Sequence, residues 1–174
     1  YEQVPDERYL ELAGEAFGEF QKRLNTFDAN LLFETIEDFH HTPKRYERFI
    51  ESLNDAIPER LVEAKDWIDF ICERSRDMQK VIEGINASQI PLRVTHNDTK
   101  INNILFDRHE PKVKCLVDLD TVMPGSLLYD FGDAVRFGCS TAKEDETDLS
   151  LVDVNLKYFE AFTKGFMKPL KDTM

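Results

Sequence analysis

Residues 95–107 have the sequence THNDTKINNILFD, and the arrangement of the second half of the chain depends on this stretch. A short β-prone run, Leu92–Thr95, leads into it, and a second run, Ile101–Phe106, ends it. A third run, Val113–Val117, follows after a polar turn that contains a proline. The spacing therefore predicts an antiparallel hairpin whose first strand comes directly after a polar loop.

The same stretch contains His96, Asp98 and Asn103 in the pattern H-x-D-x-x-x-x-N. In phosphotransferases this pattern supplies an Asp that orients and deprotonates the attacking hydroxyl group, and an Asn that holds magnesium. We expect Asp98 to lie on the loop, free to face a substrate, and Asn103 to open the hairpin strand and be held rigidly there. Average composition gives this pattern by chance in roughly one chain of this length in a hundred, so we interpret it as functional.

A second metal ligand is predicted at Asp118, because magnesium on nucleotide phosphates usually takes one or two oxygen ligands from the protein. In an antiparallel hairpin the start of the first strand lies opposite the end of the second. Asn103 and Asp118 should therefore meet at one edge. Asp120, two residues further on, either reaches the same cluster or a substrate hydroxyl, or simply caps the loop, and both roles stay open.

His96 and Lys100 are given supporting roles in the catalytic loop. We expect His96 to hydrogen-bond the loop backbone rather than to act as the base, since Asp98 is the better placed proton acceptor. Lys100 either neutralises the charge of the transferred phosphoryl group or is a solvated lysine, and we favour the first role.

Asp130 begins the sequence D-F-G, which marks a metal-binding loop in protein kinases. Here it lies in a predicted helix, 27 residues beyond Asn103, which is too remote to be the hairpin partner. Asp118 fits that position better. We expect Asp130 to order the catalytic loop from behind.

The first 90 residues have mainly helical periodicity. An apolar stripe that includes Leu10 and Phe17 predicts a helix over residues 6–24. Thr42, as an N-cap before a proline, predicts a second helix to about residue 56, and a third is expected from Pro58 to about residue 85. The segment between the first two helices has no period, and we expect it to carry its apolar side chains inward. Those side chains are Leu32, Phe33 and Ile36.

After the hairpin, residues 119–126 are predicted to be a loop and residues 127–137 a helix. The acidic stretch 143–148 is expected to be a solvated loop, and Asn155 is expected to cap a last helix with a core-facing phenylalanine stripe. The predicted fold class is therefore α+β and mostly helical, with a short β-hairpin that carries the catalytic loop and the metal site.

Composition excludes several classes of function. The 174 residues include 34 acids and 22 bases, for a net charge of -12, so we expect no nucleic acid partner and no membrane partner. The 41% of hydrophobic residues suffices for a core of ordinary size in one domain or one lobe. Three widely spaced cysteines without a C-x-x-C motif fit a reducing compartment, and we expect a cytoplasmic location.

Four stretches of the chain resemble the aminoglycoside phosphotransferase and choline kinase superfamily, over most of residues 39–166. They are HNDTKINNILFD (96–107), VDLDTVMPG (117–125), YDFGDAVR (129–136) and FHHTPKRY (39–46). Within that superfamily, the first two stretches are most similar to those of the N-acetylhexosamine 1-kinases.

The resemblance implies the C-terminal lobe of a protein-kinase-like fold, with Asp98 as the base and with Asn103 and Asp118 as Mg²⁺ ligands. The implied reaction is ATP-dependent phosphorylation of a small sugar, with the anomeric hydroxyl of an N-acetylhexosamine as the acceptor. Enzymes of this kind hold ATP between this lobe and an N-terminal β-lobe with a nucleotide-covering loop. The seven glycines form no such loop. We therefore expect residues 1–174 to be the catalytic and substrate-binding lobe, to lack the N-terminal lobe of the same polypeptide, and to be inactive alone.

Two other functions are weighed against this one. A glycosyltransferase would use Asp118-Leu119-Asp120 as a D-x-D metal site for a nucleotide sugar, but it needs alternating strands and helices upstream of the acids. A non-catalytic module with a kinase-like fold would have no need to keep Asp98, Asn103 and Asp118 together.

Overall fold

A computed structural model describes residues 6–171 of the protein, which form two compact units. The first unit comprises the described residues up to 35 and from 92 onward, and the second comprises residues 36–91. The described chain is mostly helical with two small antiparallel sheets, and the predicted α+β class is confirmed. None of its helices is both long enough and apolar enough to cross a membrane.

Seven α-helices and four strands are present in residues 6–171. The helices are α1 (Glu7–Arg23), α2 (Thr42–Asn54), α3 (Pro58–Glu63), α4 (Lys65–Glu73), α5 (Lys80–Asn86), α6 (Leu127–Gly138) and α7 (Leu156–Met167). The strands are β1 (Arg93–Thr95), β2 (Ile104–Phe106), β3 (Val113–Leu116) and β4 (Met123–Gly125).

Helices α1 and α7 form the main packing contact of the first unit. Small residues allow their backbones to approach, since a Cβ on Gly14 would overlap the carbonyl oxygen of Phe162 and one on Gly165 would overlap that of Glu11. The core around this contact is apolar and fully buried. It contains Leu10, Ala13, Phe17, Ile101, Ile104, Ala134, Phe162, Phe166 and Leu170.

The ends of these helices have the capping residues that their sequences favour. The Asp6 carboxylate accepts hydrogen bonds from the first turn of α1, and Asn155 does the same for α7, as predicted. Phe162 and Phe166 of the predicted stripe are buried, whereas Phe159 is more than one-third exposed.

The predicted hairpin is confirmed: β2 pairs antiparallel with β3, and Ile104 lies opposite Leu116. The prediction that Asn103 opens the strand is wrong, because residues 101–103 form a 3₁₀ turn and the strand begins at Ile104. The Asn103 side chain bonds to the backbone of Asp98, and such local bonds favour a turn over an extended ladder.

The prediction of a simple loop at residues 119–126 is also wrong. Residues 119–121 form a 3₁₀ turn, and β4 follows and pairs antiparallel with β1, with Thr95 opposite Met123. Pro124 and Gly125 resemble loop residues in sequence, but a two-stranded ladder has free edges at which a proline is tolerated.

The second unit differs from the sequence prediction in how its helices are divided. The single helix expected from Pro58 is three helices, and α3 ends at Glu63 because the next residue, Ala64, has a ψ of 3° and leaves the helical range. Apolar periodicity persists across such a bend, so the pattern does not show it. The cap of α2 is His41, whose ring Nδ1 accepts the Lys44 N–H at 3.2 Å, and not Thr42.

The segment between α1 and α2 does not bury all its apolar side chains as expected. Phe33 is 86% exposed and Ile36 is also exposed, while Leu32 is partly buried. Buried Ala29 lies in a one-turn 3₁₀ helix in this segment. In a stretch without periodicity, the sequence does not distinguish an inward apolar side chain from an outward one.

Two glycine substitutions should have different effects, because one glycine lies in the close contact of α1 and α7 and the other lies outside it, in α6. Gly14→Ala should lower the free energy of unfolding by about 1–3 kcal/mol, because the added methyl group has no space against the α7 backbone. Gly132→Ala should leave the free energy of unfolding unchanged or raise it by up to about 1 kcal/mol, because no atom outside the adjacent α6 backbone lies within 4 Å of its Cβ position. Urea-induced unfolding measures both values, and similar effects of the two changes would contradict the packing described.

Candidate active site

The predicted catalytic loop, residues 96–100, begins directly after β1 with a sharp turn at Asn97. This residue has a φ of 66°, in the left-handed region that asparagine tolerates better than most residues. Its side-chain amide donates to the Thr121 carbonyl oxygen at 2.9 Å, and the Thr121 hydroxyl donates to the His96 carbonyl oxygen at 2.7 Å. The turn is thereby fixed to the segment after β3, and it directs the chain toward Asp98.

A fully buried carboxylate, that of Asp130 in the first turn of α6, supports this turn from beneath. One of its oxygens accepts the His96 N–H at 3.0 Å, and the other accepts the Asn97 N–H at 2.8 Å. The Gln21 side-chain amide donates to the first oxygen at 2.7 Å. The Thr99 hydroxyl donates to the Asp130 carbonyl oxygen at 2.7 Å. Asp130 therefore contacts the loop from the side of α6, where the sequence analysis placed it.

Asp133 provides a second anchor, one helical turn along α6. Its carboxylate accepts the Thr99 N–H at 2.9 Å, while Arg136 bonds to the other oxygen at 3.1 Å. The sequence analysis missed Asp133, although its spacing of three residues from Asp130 places both on one helix face. It also missed Gln21, for which the sequence holds no signal, since 109 residues separate it from Asp130.

Asp98 and Asn103 are in direct contact. The Asn103 side-chain amide donates to both the carbonyl oxygen and the Oδ2 of Asp98, each at 2.8 Å. The Lys100 ammonium lies 3.5 Å from the other carboxylate oxygen, Oδ1. The Asp98 side chain keeps 25% of its surface exposed. The carboxylate is therefore oriented by the loop and still accessible to a hydroxyl group.

His96 is buried between the loop and the hairpin. Its Nε2 lies 3.2 Å from the Val117 carbonyl oxygen, which only accepts, so this nitrogen carries the proton. The ring packs edge-on against Phe17 and Phe20, with centroid distances of 5.5 and 5.8 Å. The histidine therefore connects the catalytic loop to the residue that precedes Asp118.

The hairpin brings Asn103 beside the end of β3, because the Val117 N–H donates to the Asn103 carbonyl oxygen at 2.9 Å. The next residue, Asp118, has a φ of 61° and an exposed side chain. Asp120 is exposed in the turn that follows. Within residues 6–171, neither the Asp118 carboxylate nor the Asn103 Oδ1 has a hydrogen-bond partner.

These two free groups suit a magnesium ion that is shared with phosphates. Carboxylate and amide oxygens are hard ligands, and Mg²⁺ usually takes only one or two of them from the protein. The described residues contain no group of three or more His, Cys, Asp or Glu side chains able to hold a metal ion. A site built from Asn103 and Asp118 is compatible with that finding, because it needs phosphate and water to complete it.

Comparison with known families gives the context for this geometry. The family model described as "Phosphotransferase enzyme family" matches residues 1–166 of the 174. The chain belongs to this phosphotransferase family. Membership favours ATP-dependent phosphoryl transfer as the activity, and it does not favour the D-x-D glycosyltransferase that the sequence left open. Residues 6–92, which precede β1, also lack the alternating strands and helices that the glycosyltransferase would need.

A cavity of about 740 Å³ lies in the first unit of this phosphotransferase. Its volume is in the range of about 300–1,000 Å³ that is typical of small-molecule sites. The 3₁₀ turn after the loop contributes Ile101, and the lining also includes polar side chains from the end of α6 to the start of α7. These are Ser140, Thr141, Lys143, Glu144, Asn155 and Tyr158.

Burial of Asp130 predicts a specific pH dependence of stability. Desolvation raises the pKa of its carboxyl above 3.8, although hydrogen bonds from Asn97, His96 and Gln21 oppose the rise. The folded state then binds this proton more tightly than the unfolded state. Its contribution to stability is therefore full at low pH and is lost as the pH rises from about 4 through the folded pKa. The stability of wild type relative to Asp130→Asn should fall over that range in pH-dependent urea unfolding.

Asp107→Asn is the control of opposite sign. A hydrogen bond from Lys114, followed by one from the His109 N–H, lowers the pKa of Asp107 to about 2. The contribution of the Asp107 carboxylate to stability is present above pH 4 and is lost as the pH falls toward 2. The difference in unfolding free energy between wild type and Asp130→Asn should therefore vary with pH in the direction opposite to that for Asp107→Asn. A difference that does not vary with pH, or that varies in the same direction, would contradict the role given to the buried carboxylate.

Proposed function

We propose that the protein supplies the acceptor-activating and metal-binding half of an ATP-dependent small-molecule kinase, with Asp98 as the general base. The observation that carries the proposal is the partly exposed Asp98 carboxylate, which the Asn103 amide orients through a hydrogen bond to Oδ2, with a second bond to the Asp98 carbonyl oxygen. A carboxylate in this state accepts a proton from a hydroxyl group without first having to reorganise.

In this proposal each group of the loop has one task. Asp98 accepts the proton of the acceptor hydroxyl as that oxygen attacks the terminal phosphorus of the nucleotide, and the bond from this phosphorus to the bridging oxygen breaks to release the nucleoside diphosphate. Asn103 keeps the carboxylate turned toward the acceptor. Lys100, 3.5 Å from the carboxylate, is near enough to balance negative charge on the transferred phosphoryl group.

Asn103 and Asp118 would hold the magnesium ion through the Asn103 Oδ1 and the Asp118 carboxylate. When bound, the magnesium ion would neutralise negative charge on the nucleotide phosphates. Because the Asn103 Nδ2 already donates to Asp98, the same side chain would link the metal to the base. Asp120 is left as a contact to the substrate or to the loop.

We further propose an N-acetylhexosamine as the acceptor, phosphorylated at its anomeric hydroxyl. The similarity of residues 96–107 and 117–125 to N-acetylhexosamine 1-kinases supports this choice. The polar cavity beside Ile101 also suits a polyhydroxylated ligand, because its lining residues include Lys143, Asn155 and Tyr158, whose side chains carry hydrogen-bond donors.

The nucleotide-covering loop and the lysine that pairs with the phosphates are proposed to come from an N-terminal lobe of the same polypeptide. The support is compositional, since no glycine-rich loop occurs among the 174 residues. By this proposal the 174-residue chain alone does not catalyse phosphoryl transfer. Kinetic tests therefore use an intact enzyme that contains these residues.

The base is tested by Asp98→Asn in that intact enzyme. Loss of the proton acceptor should lower kcat by about two orders of magnitude or more, while the affinity for ATP stays nearly the same. Asp145→Asn, in the exposed acidic loop, is the matched control and should change neither value. Steady-state kinetics with N-acetylglucosamine or N-acetylgalactosamine measure the effect. Turnover of Asp98→Asn near that of wild type would remove Asp98 from the mechanism, and an inactive wild type would favour the non-catalytic module.

The metal site is tested by comparing Asp118→Ala with Asp120→Ala. Both side chains are exposed and two residues apart, so the pair controls for loss of one negative charge. Magnesium-dependent turnover should be abolished in Asp118→Ala and reduced far less in Asp120→Ala, as measured by a Mg²⁺ titration of the rate. Equal losses, or a greater loss at Asp120, would assign the metal to the second acid.

A further inference from the structure

Gln21 is a buried polar residue in the core-facing side of α1, with 1% of its surface exposed. Its side-chain nitrogen donates to the carbonyl oxygen of Val94, in β1, at 3.0 Å. The same nitrogen donates to Oδ2 of Asp130, in α6, at 2.7 Å. One amide group therefore contacts both the strand that leads into the catalytic loop and the carboxylate that supports the loop.

The orientation of this amide is determined by its partners. With the amide reversed, its oxygen would face the Val94 carbonyl and the Asp130 carboxylate, which both only accept. The nitrogen must therefore face them, and the Gln21 Oε1 is left buried without a partner among the described residues. An unpaired buried oxygen costs folding free energy. An apolar side chain of similar size would avoid that cost, so core packing alone does not account for a glutamine here.

We propose that Gln21 is a positioning residue for the catalytic loop, acting through Asp130 and Val94 on the backbone of His96 and Asn97. Asp130 Oδ2 has two donors, the Gln21 amide and the His96 N–H. The Gln21 amide fixes the rotation of the Asp130 carboxylate. That rotation sets the positions of the His96 N–H and the Asn97 N–H. Asp98 is the next residue, so its placement depends on a side chain that never touches it.

The support for Gln21 is rigid, because α1 is held against α7. Gly14 and Gly18, on the turns that precede Gln21, lie in contact with the α7 backbone at Phe162 and Phe166. The Gln21 amide is thus attached to the most closely packed helix pair of the unit. The link to turnover rests on the proposed function, whereas the link to loop structure does not.

Gln21→Met tests the structural link in the 174-residue chain, since methionine has a similar size and no donor. Leu10→Ala is the control, because Leu10 is equally buried in α1 but belongs to the apolar core. Amide hydrogen exchange followed by NMR should show the His96 and Asn97 amides exchanging on the order of tenfold faster in Gln21→Met, beyond any change in α7. Leu10→Ala should accelerate exchange broadly. An unchanged loop, or a uniform change like that of Leu10→Ala, overturns the inference.

The wild-type chain gives a second measurement that does not depend on the variant folding. The two side-chain protons on the Gln21 nitrogen should exchange slowly with solvent, because both are in buried hydrogen bonds. Exchange as rapid as that of exposed Gln89 would overturn the inference.

Kinetics in the intact enzyme separate this inference from the proposed function. Gln21→Met should lower kcat on the order of tenfold and leave the KM values for nucleotide and acceptor within about twofold, because the base is displaced but the binding groups are not. Normal turnover of Asp98→Asn, with loop exchange still accelerated in Gln21→Met, refutes the proposed function and upholds the positioning of the loop. Unchanged kcat in Gln21→Met, where Asp98→Asn is impaired, overturns the positioning role.

Discussion

The arrangement of the candidate site depends on one interaction, the pair of hydrogen bonds between the buried Asp130 carboxylate and the backbone amides of His96 and Asn97. A carboxylate is buried without a charged partner only where donors surround it, and here two backbone amides and Gln21 provide them. The cost of burying this group is offset only while the loop keeps its turn. The loop conformation and the burial of Asp130 are therefore stabilised together.

The rest of the first unit provides rigid attachment for this interaction. Asp130 lies in the first turn of α6, and the donor Gln21 lies on α1, which packs through its glycines against α7. The hairpin is attached from the other side, because His96 bonds to Val117 and Asn103 pairs with the same residue. The proposed base and both proposed metal ligands, Asp98, Asn103 and Asp118, are thus held in place by a few backbone contacts.

The sequence predicts the elements whose signal is local. Helix α1, the hairpin and the last helix follow from periodicity, turn residues and caps, and the acids Asp98 and Asp118 follow from motif spacing. Strand β4 was missed because its pairing with β1 is non-local and its proline resembles a turn residue. Gln21 was missed for the same reason, since its hydrogen-bond partners among the described residues lie 73 and 109 residues away. The breaks that separate α3, α4 and α5 leave the apolar period intact, so no pattern reveals them.

We propose that the hairpin and the supported loop place Asn103 and Asp118 in one metal-binding site next to Asp98. Titration of the 174-residue chain with Mn²⁺, followed by paramagnetic broadening of its amide signals, tests this most directly. Weak binding suffices, because the broadening depends on distance from the ion. The amide signals of Asn103 and Asp118 should broaden together, followed by that of Asp98, before those of the acidic loop 143–148. Broadening confined to that loop, or at Asp118 without Asn103, would contradict it.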